Sequence, residues 1–131
     1  SMKTNYSEFL NQTMERIGNY GKANLDFMGA FYNLRQAAGK PGVLSSKHKD
    51  LIALGISINS KCEGCIAMHT SEALKHGAVE QEIVETIATS IYMGGGPSVV
   101  FGANAYDILK EFELVNKKQH ITNNIAVRTF S

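Results

Sequence analysis

Tryptophan is absent, and proline and cysteine each occur only twice in 131 residues. Scarce proline leaves long stretches free to run as helix, because each proline removes a backbone donor and clashes with the preceding turn. No apolar run approaches the roughly 18–20 residues that a membrane span needs. Charge of one sign is also lacking: the formal net charge is +1, and the basic residues are scattered. Their densest group, Lys47-His48-Lys49, is broken at once by Asp50. Neither a nucleic-acid stripe nor a polybasic membrane patch is present. Lys3 to Glu15 is polar and mixed, unlike a signal peptide. The reading is a cytoplasmic protein that binds neither nucleic acid nor membrane, folded as one domain over residues 1–131. Ser1-Met2 reads as an expression scar, and residues 115–131 as a C-terminal tail.

The two cysteines, Cys62 and Cys65, are three residues apart. A staple across so short a loop removes little entropy from the unfolded chain. In a reducing compartment, this spacing points instead to redox or metal chemistry. Zinc wants four ligands, and His48, His76 and His120 lack paired spacing. Haem attachment needs histidine directly after the second cysteine, where Ile66 stands. No metal and no cofactor is therefore expected, and redox chemistry is the preferred reading.

Apolar residues recur at helical spacing through most of the chain. Tyr6 to Tyr20 carries Phe9, Leu10, Met14 and Ile17, and Gly18 and Gly21 are expected to end it. Asn24 to Ala38 follows, with Phe27–Tyr32 read as core or subunit interface; Gly39-Lys40-Pro41-Gly42 breaks the pattern. Ser45 or Ser46 can cap a segment reaching Asn59. Its Leu51–Ile58 stretch is polar only at Ser57, so it is expected to be buried on nearly all sides. Cys62 to His76 and Val79 to Met93 read as two more helices. Gly94-Gly95-Gly96-Pro97 reads as a break that permits close backbone packing, and Ser98 as the cap of a last helix to about Leu114. The fold class is all-α, a bundle of about six helices. The minor alternative is a thioredoxin layout, in which Leu51–Ile58 is a strand before Cys-x-x-Cys.

On a helix, residues three and four apart share a face. Cys62, Cys65 and His69 therefore line one side: two thiols with a base beside them. The helix N-terminus favours a thiolate at Cys62, while His69 can take a proton from Cys65. Asp50 lies near the start of the preceding helix. In an antiparallel pair it stands about 13 Å back from the turn and His69 about 12 Å beyond it. Side by side with His69, Asp50 could orient the imidazole and raise its basicity. The remaining histidines are expected at the surface.

These residues carry a resemblance. Lys47-His48-Lys49-Asp50-Leu51-Ile52-Ala53-Leu54-Gly55-Ile56, then Cys62-x-x-Cys65-x-x-x-His69, resembles the alkylhydroperoxidase D-like, or carboxymuconolactone decarboxylase-like, superfamily. So do His76-Gly77-Ala78 and Ile91-Tyr92-Met93-Gly94-Gly95-Gly96-Pro97-Ser98. The resemblance spans roughly Leu44 to Phe112. It implies an all-helical oligomer, commonly a trimer or hexamer. It also implies an antioxidant function: peroxide reduction, or dithiol–disulfide exchange with a peroxiredoxin partner or another external thiol reductant. Residue by residue, Cys65 resembles the attacking cysteine, Cys62 its disulfide partner, His69 the relay histidine and Asp50 the relay acid. Two positions depart from the pattern. Asp50 stands where the family usually has glutamate, and Gly64 where peroxidase members carry a second histidine. Both departures keep disulfide exchange level with peroxide reduction. The competing readings are a decarboxylase-like lyase or hydrolase that uses His69 and Asp50, and a non-catalytic redox-sensing module.

Overall fold

A computed structural model describes residues 5–130, which form six helices with no strand among the described residues. The expression scar read at Ser1-Met2 lies outside them. The helices are α1 (Tyr6–Ala23), α2 (Leu25–Gly39), α3 (Ser46–Asn59), α4 (Glu63–Lys75), α5 (Glu80–Gly94) and α6 (Gly96–Phe130). The all-α expectation holds, and the thioredoxin alternative is excluded because Leu51–Ile58 is helical.

Most boundaries follow local chemistry. Ser45 caps α3, its Oγ accepting from the His48 backbone N–H at 3.1 Å. Glu82 accepts from the Val79 N–H at 3.0 Å at the start of α5, and its other oxygen meets Lys47 of α3 at 2.9 Å. The Val79 hydrogen bond first, and Lys47 second, lower the Glu82 pKa. Gly95 turns the chain with φ +73°. A Cβ on Gly94 would collide with the Ser98 and Asn59 side chains, so this glycine allows the close approach of α3, α5 and α6.

Four expectations need correction. Gly18 and Gly21 do not end α1, which continues to Ala23; the chain turns at Asn24, whose N–H reaches the Tyr20 carbonyl at 3.1 Å. Ser98 does not cap α6 but lies within it, donating to Asn59 Oδ1 at 2.5 Å. The segment read as a tail from residue 115 continues α6 to Phe130. Lastly, α3 is not buried on nearly all sides: Leu54, Ser57 and Ile58 are buried, whereas Ile56 is 62% exposed. A helix sends residues four apart to one side, and the Ile52–Ile56 side faces an apolar groove shared with Thr86, Thr89 and Met93 of α5.

The core lies between α3, α4, α5 and α6, where Leu54, Ile58, Ile66, Ile83, Ile108 and Leu109 are fully buried. Tyr6 adds the start of α1 to this core. Glu111 of α6 fixes that start by accepting from the backbone N–H groups of Tyr6 and Ser7 at 2.8 and 2.7 Å. In contrast, α2 buries none of its residues. Phe27–Tyr32 is thus not core of the single chain. No helix among the described residues is long and apolar enough to cross a membrane.

Candidate functional site

The site sits at the sharp turn from α3 into α4. Backbone N–H groups of Ser60, Lys61 and Cys62 bond back to the carbonyls of Ile56, Ile58 and Ser57 at 2.8, 3.1 and 3.1 Å. Lys61 takes a left-handed conformation, φ 56°, to make the reversal. This places Cys62 at the N-cap of α4, with its sulfur accepting from the Cys65 N–H at 3.2 Å. Cys62 and Cys65 are joined in a disulfide, with Cα atoms 5.2 Å apart, and both are half-buried. Among the described residues, no group of three or more His, Cys, Asp or Glu side chains could hold a metal ion.

One helical turn beyond Cys65 stands half-buried His69. Its Nδ1 is buried and has no hydrogen-bond partner. Desolvation, and next the positive charge of Arg35 on α2, push its pKa below the usual 6.5; Asp50 and Glu72 pull weakly the other way. The imidazole is therefore neutral near pH 7 and available as a base.

Asp50 is placed differently from the arrangement expected. Its carboxylate accepts from His76 Nδ1 at 2.5 Å, while its influence on His69 is electrostatic. The reason is helical register. His69, Glu72 and His76 are three and four residues apart and share a face of α4, so an acid on α3 meets two histidines. His76 is exposed, as expected of the surface histidines, but has a specific partner.

Three site neighbours were not apparent from the sequence. Arg35 belongs to α2, a segment read there only for its apolar residues. Glu72 lies one turn past His69. Thr13 of α1 covers the open side of Gly64: a Cβ there would stand 3.3 Å from Thr13 Cγ2. A side chain at position 64 would thus require Thr13 to give by a few tenths of an ångström. The i, i+3, i+7 row of His69, Glu72 and His76 could have flagged the first two turns; nothing local marks Arg35 or Thr13.

A model of the carboxymuconolactone decarboxylase family matches residues 26–107. An uncharacterized protein of Cupriavidus necator is 33% identical over 115 residues, covering 88% of this chain and 99% of its own length. A solved structure of a carboxymuconolactone decarboxylase family protein from Legionella pneumophila superposes with a TM-score of 0.79 at 34% identity, covering 82% of this chain and 96% of that one. A Thermotoga maritima structure of the same family, for which a part in the antioxidative response has been suggested, gives 0.77 at 24% identity over 84% and 94% of the two chains. That last likeness concerns the fold alone.

Proposed function

The chain belongs to the carboxymuconolactone decarboxylase family, and from that premise we propose that it is a thiol-dependent redox protein cycling between a Cys62, Cys65 dithiol and their disulfide. The observation that carries this reading is the unpartnered, buried Nδ1 of His69 one turn beyond the half-buried disulfide. Reduction creates a thiol at Cys65, and a neutral imidazole beside it is the acceptor its proton needs.

In the proposed cycle, His69 takes the Cys65 proton. The thiolate then attacks either a peroxide oxygen or one sulfur of a partner disulfide. With peroxide, the O–O bond breaks, an alcohol or water leaves, and Cys65 becomes a sulfenic acid; Cys62 displaces its oxygen as water and closes the disulfide. With a partner disulfide, a mixed disulfide forms and one partner thiol leaves; Cys62 then displaces the second. Two electrons pass from the chain in either case, and an external thiol reductant or a peroxiredoxin partner restores them. Cys62 suits the resolving role because the Cys65 N–H stabilises negative charge on its sulfur. Asp50 acts on this relay at a distance, through its charge and through His76. A thiol-rich compartment, the cytoplasm, is the setting we propose. We further propose a homo-oligomer, trimer or hexamer, in which the exposed apolar residues of α2 are covered.

The test is consumption of peroxide, and separately of a disulfide substrate, coupled to a dithiol reductant in wild type and Cys65→Ser. Turnover should fall to background in the variant; unchanged turnover overturns the mechanism. Absence of turnover together with an oxidation-dependent change in assembly mass would favour the redox-sensing module. Activity that survives loss of both cysteines would favour lyase or hydrolase chemistry.

A further inference from the structure

A second concavity adjoins the redox site. It lies between α2 and the C-terminal half of α4, has a volume of about 470 Å³, and is lined by Tyr32, Arg35, Gln36, Gly39, Lys40, Glu72 and His76. That size suits a small molecule. The charges around it are unevenly matched. Both acids near it have cationic or donor partners: Glu72 meets Lys75 at 3.4 Å, and Asp50 meets His76 at 2.5 Å. The side chains of the two cations lining it, Arg35 and Lys40, have no hydrogen bond or ion pair among the described residues. Arg35 is partly buried, held on α2 close enough to His69 for its charge to act there. A partly buried arginine whose guanidinium has no hydrogen-bonded anion can take one, and its planar fork fits a carboxylate with two parallel hydrogen bonds.

We propose that this cleft binds the carboxylate of a small-molecule substrate, with Arg35 as its anchor and Lys40 at its rim. The site would select disulfides or peroxides that carry an acid group. The inference rests on the redox reading above for what happens after binding. Tyr32 offers a flat apolar wall for the stem of such a ligand, and Gln36 an additional donor. From Glu72 in the cleft, His69 and then Cys65 follow at spacings of three and four residues on α4, and the proposal requires the ligand to lie along this face toward the sulfur.

Two measurements test it. In the first, the reduced chain is mixed with dithiodipropionate, a dicarboxylate, or with its neutral diamide. Cys65 thiolate attacks one sulfur and releases one thiol of the probe; Cys62 displaces the other, and two electrons move from the chain to the probe. Wild type should favour the acid, and Arg35→Gln should raise KM for the acid by about ten- to a hundredfold relative to the diamide, any change in the His69 base being common to both probes. Equal use of both probes by wild type, or equal slowing of both in the variant, overturns the proposal; equal slowing would mean that Arg35 acts only on the His69 proton. In the second, hexanoate is titrated calorimetrically into the disulfide form, which needs no turnover. Binding by wild type and its loss in a folded Arg35→Gln chain support the anchor. No binding by wild type, or equal binding by both, overturns it. If hexanoate binds through Arg35 but neither disulfide is reduced, the redox reading fails and the carboxylate site stands.

Discussion

Helices α2 and α4 make an instructive pair. The first carries Leu25, Phe27, Met28, Phe31, Tyr32 and Leu34 and buries none of them; Leu25 is 71% exposed. The second has fewer large apolar residues, yet Ile66, Ala67, Thr70 and Ala73 are all buried. Apolar content therefore did not decide which helix enters the core. Position did: α4 is flanked by α3 and α6, whereas α2 touches the bundle along only part of its length. The inner helix carries the sulfurs and His69, and the outer one brings the charge of Arg35 to bear on His69 while leaving its apolar residues exposed. Exposed apolar residues of that kind are what the proposed homo-oligomer would cover.

The contrast is broken most severely at Leu54, fully buried on α3. Leu54→Ala should cost about 2–5 kcal/mol, seen as a lower denaturant midpoint. Phe31→Lys on α2 should change stability per chain by no more than about 0.5 kcal/mol, but lower the assembly mass in light scattering. A large per-chain loss at Phe31 would show that α2 is a structural member of the single-chain core. Next in size is the base: His69→Gln should slow disulfide or peroxide turnover by about 100-fold, with the helical circular dichroism unchanged.

Glycines sharpen the same distinction. Gly94→Ala, which meets Ser98 and Asn59 where three helices converge, should destabilise by about 1–3 kcal/mol. On the outer helix α1, Gly18 has nothing within 4 Å of an added Cβ. Gly18→Ala should therefore raise stability by about 0.5–1 kcal/mol, measured by thermal unfolding. The smallest effect concerns pH. Burial lowers the His69 pKa from 6.5, so the unfolded chain binds a proton that the folded chain resists. This contribution to stability is complete above pH 6.5 and is lost as pH falls toward the folded-state value. Denaturation midpoints should decline over that window in wild type and less steeply in His69→Gln.

Much of this was legible beforehand. Helix starts at Ser45 and Cys62, the break at Gly94–Gly96 and the alignment of Cys62, Cys65 and His69 follow from chemistry within a few residues of each position. What was not legible depended on distant neighbours. Gly18 and Gly21 are weak helix formers, but α1 packs on α4 and α6, and tertiary packing overrides propensity. Residues 115–130 lack a strong apolar period, yet they extend a helix already nucleated within the core. Asp50 was placed correctly along α3, but choosing between His69 and His76 requires the rotation of one helix about its axis. Arg35 needed the docking of α2, which no spacing within α4 encodes.

The grip of Glu111 on α1 has a bearing on how the chain folds. Its carboxylate accepts, from more than a hundred positions away, from the N–H groups of the first two residues of the helix, while Asn5 caps the third locally by accepting from the Glu8 N–H. Closing so large a loop is entropically costly and slow compared with joining α3 to α4. We therefore expect the first helix to dock last and to lift off first, uncovering Gly64 and the turn that carries Cys62. Amide hydrogens of α1 should exchange by partial opening, ahead of those around Ile66 and Leu109. Glu111→Gln should widen that gap without altering exchange in the interior.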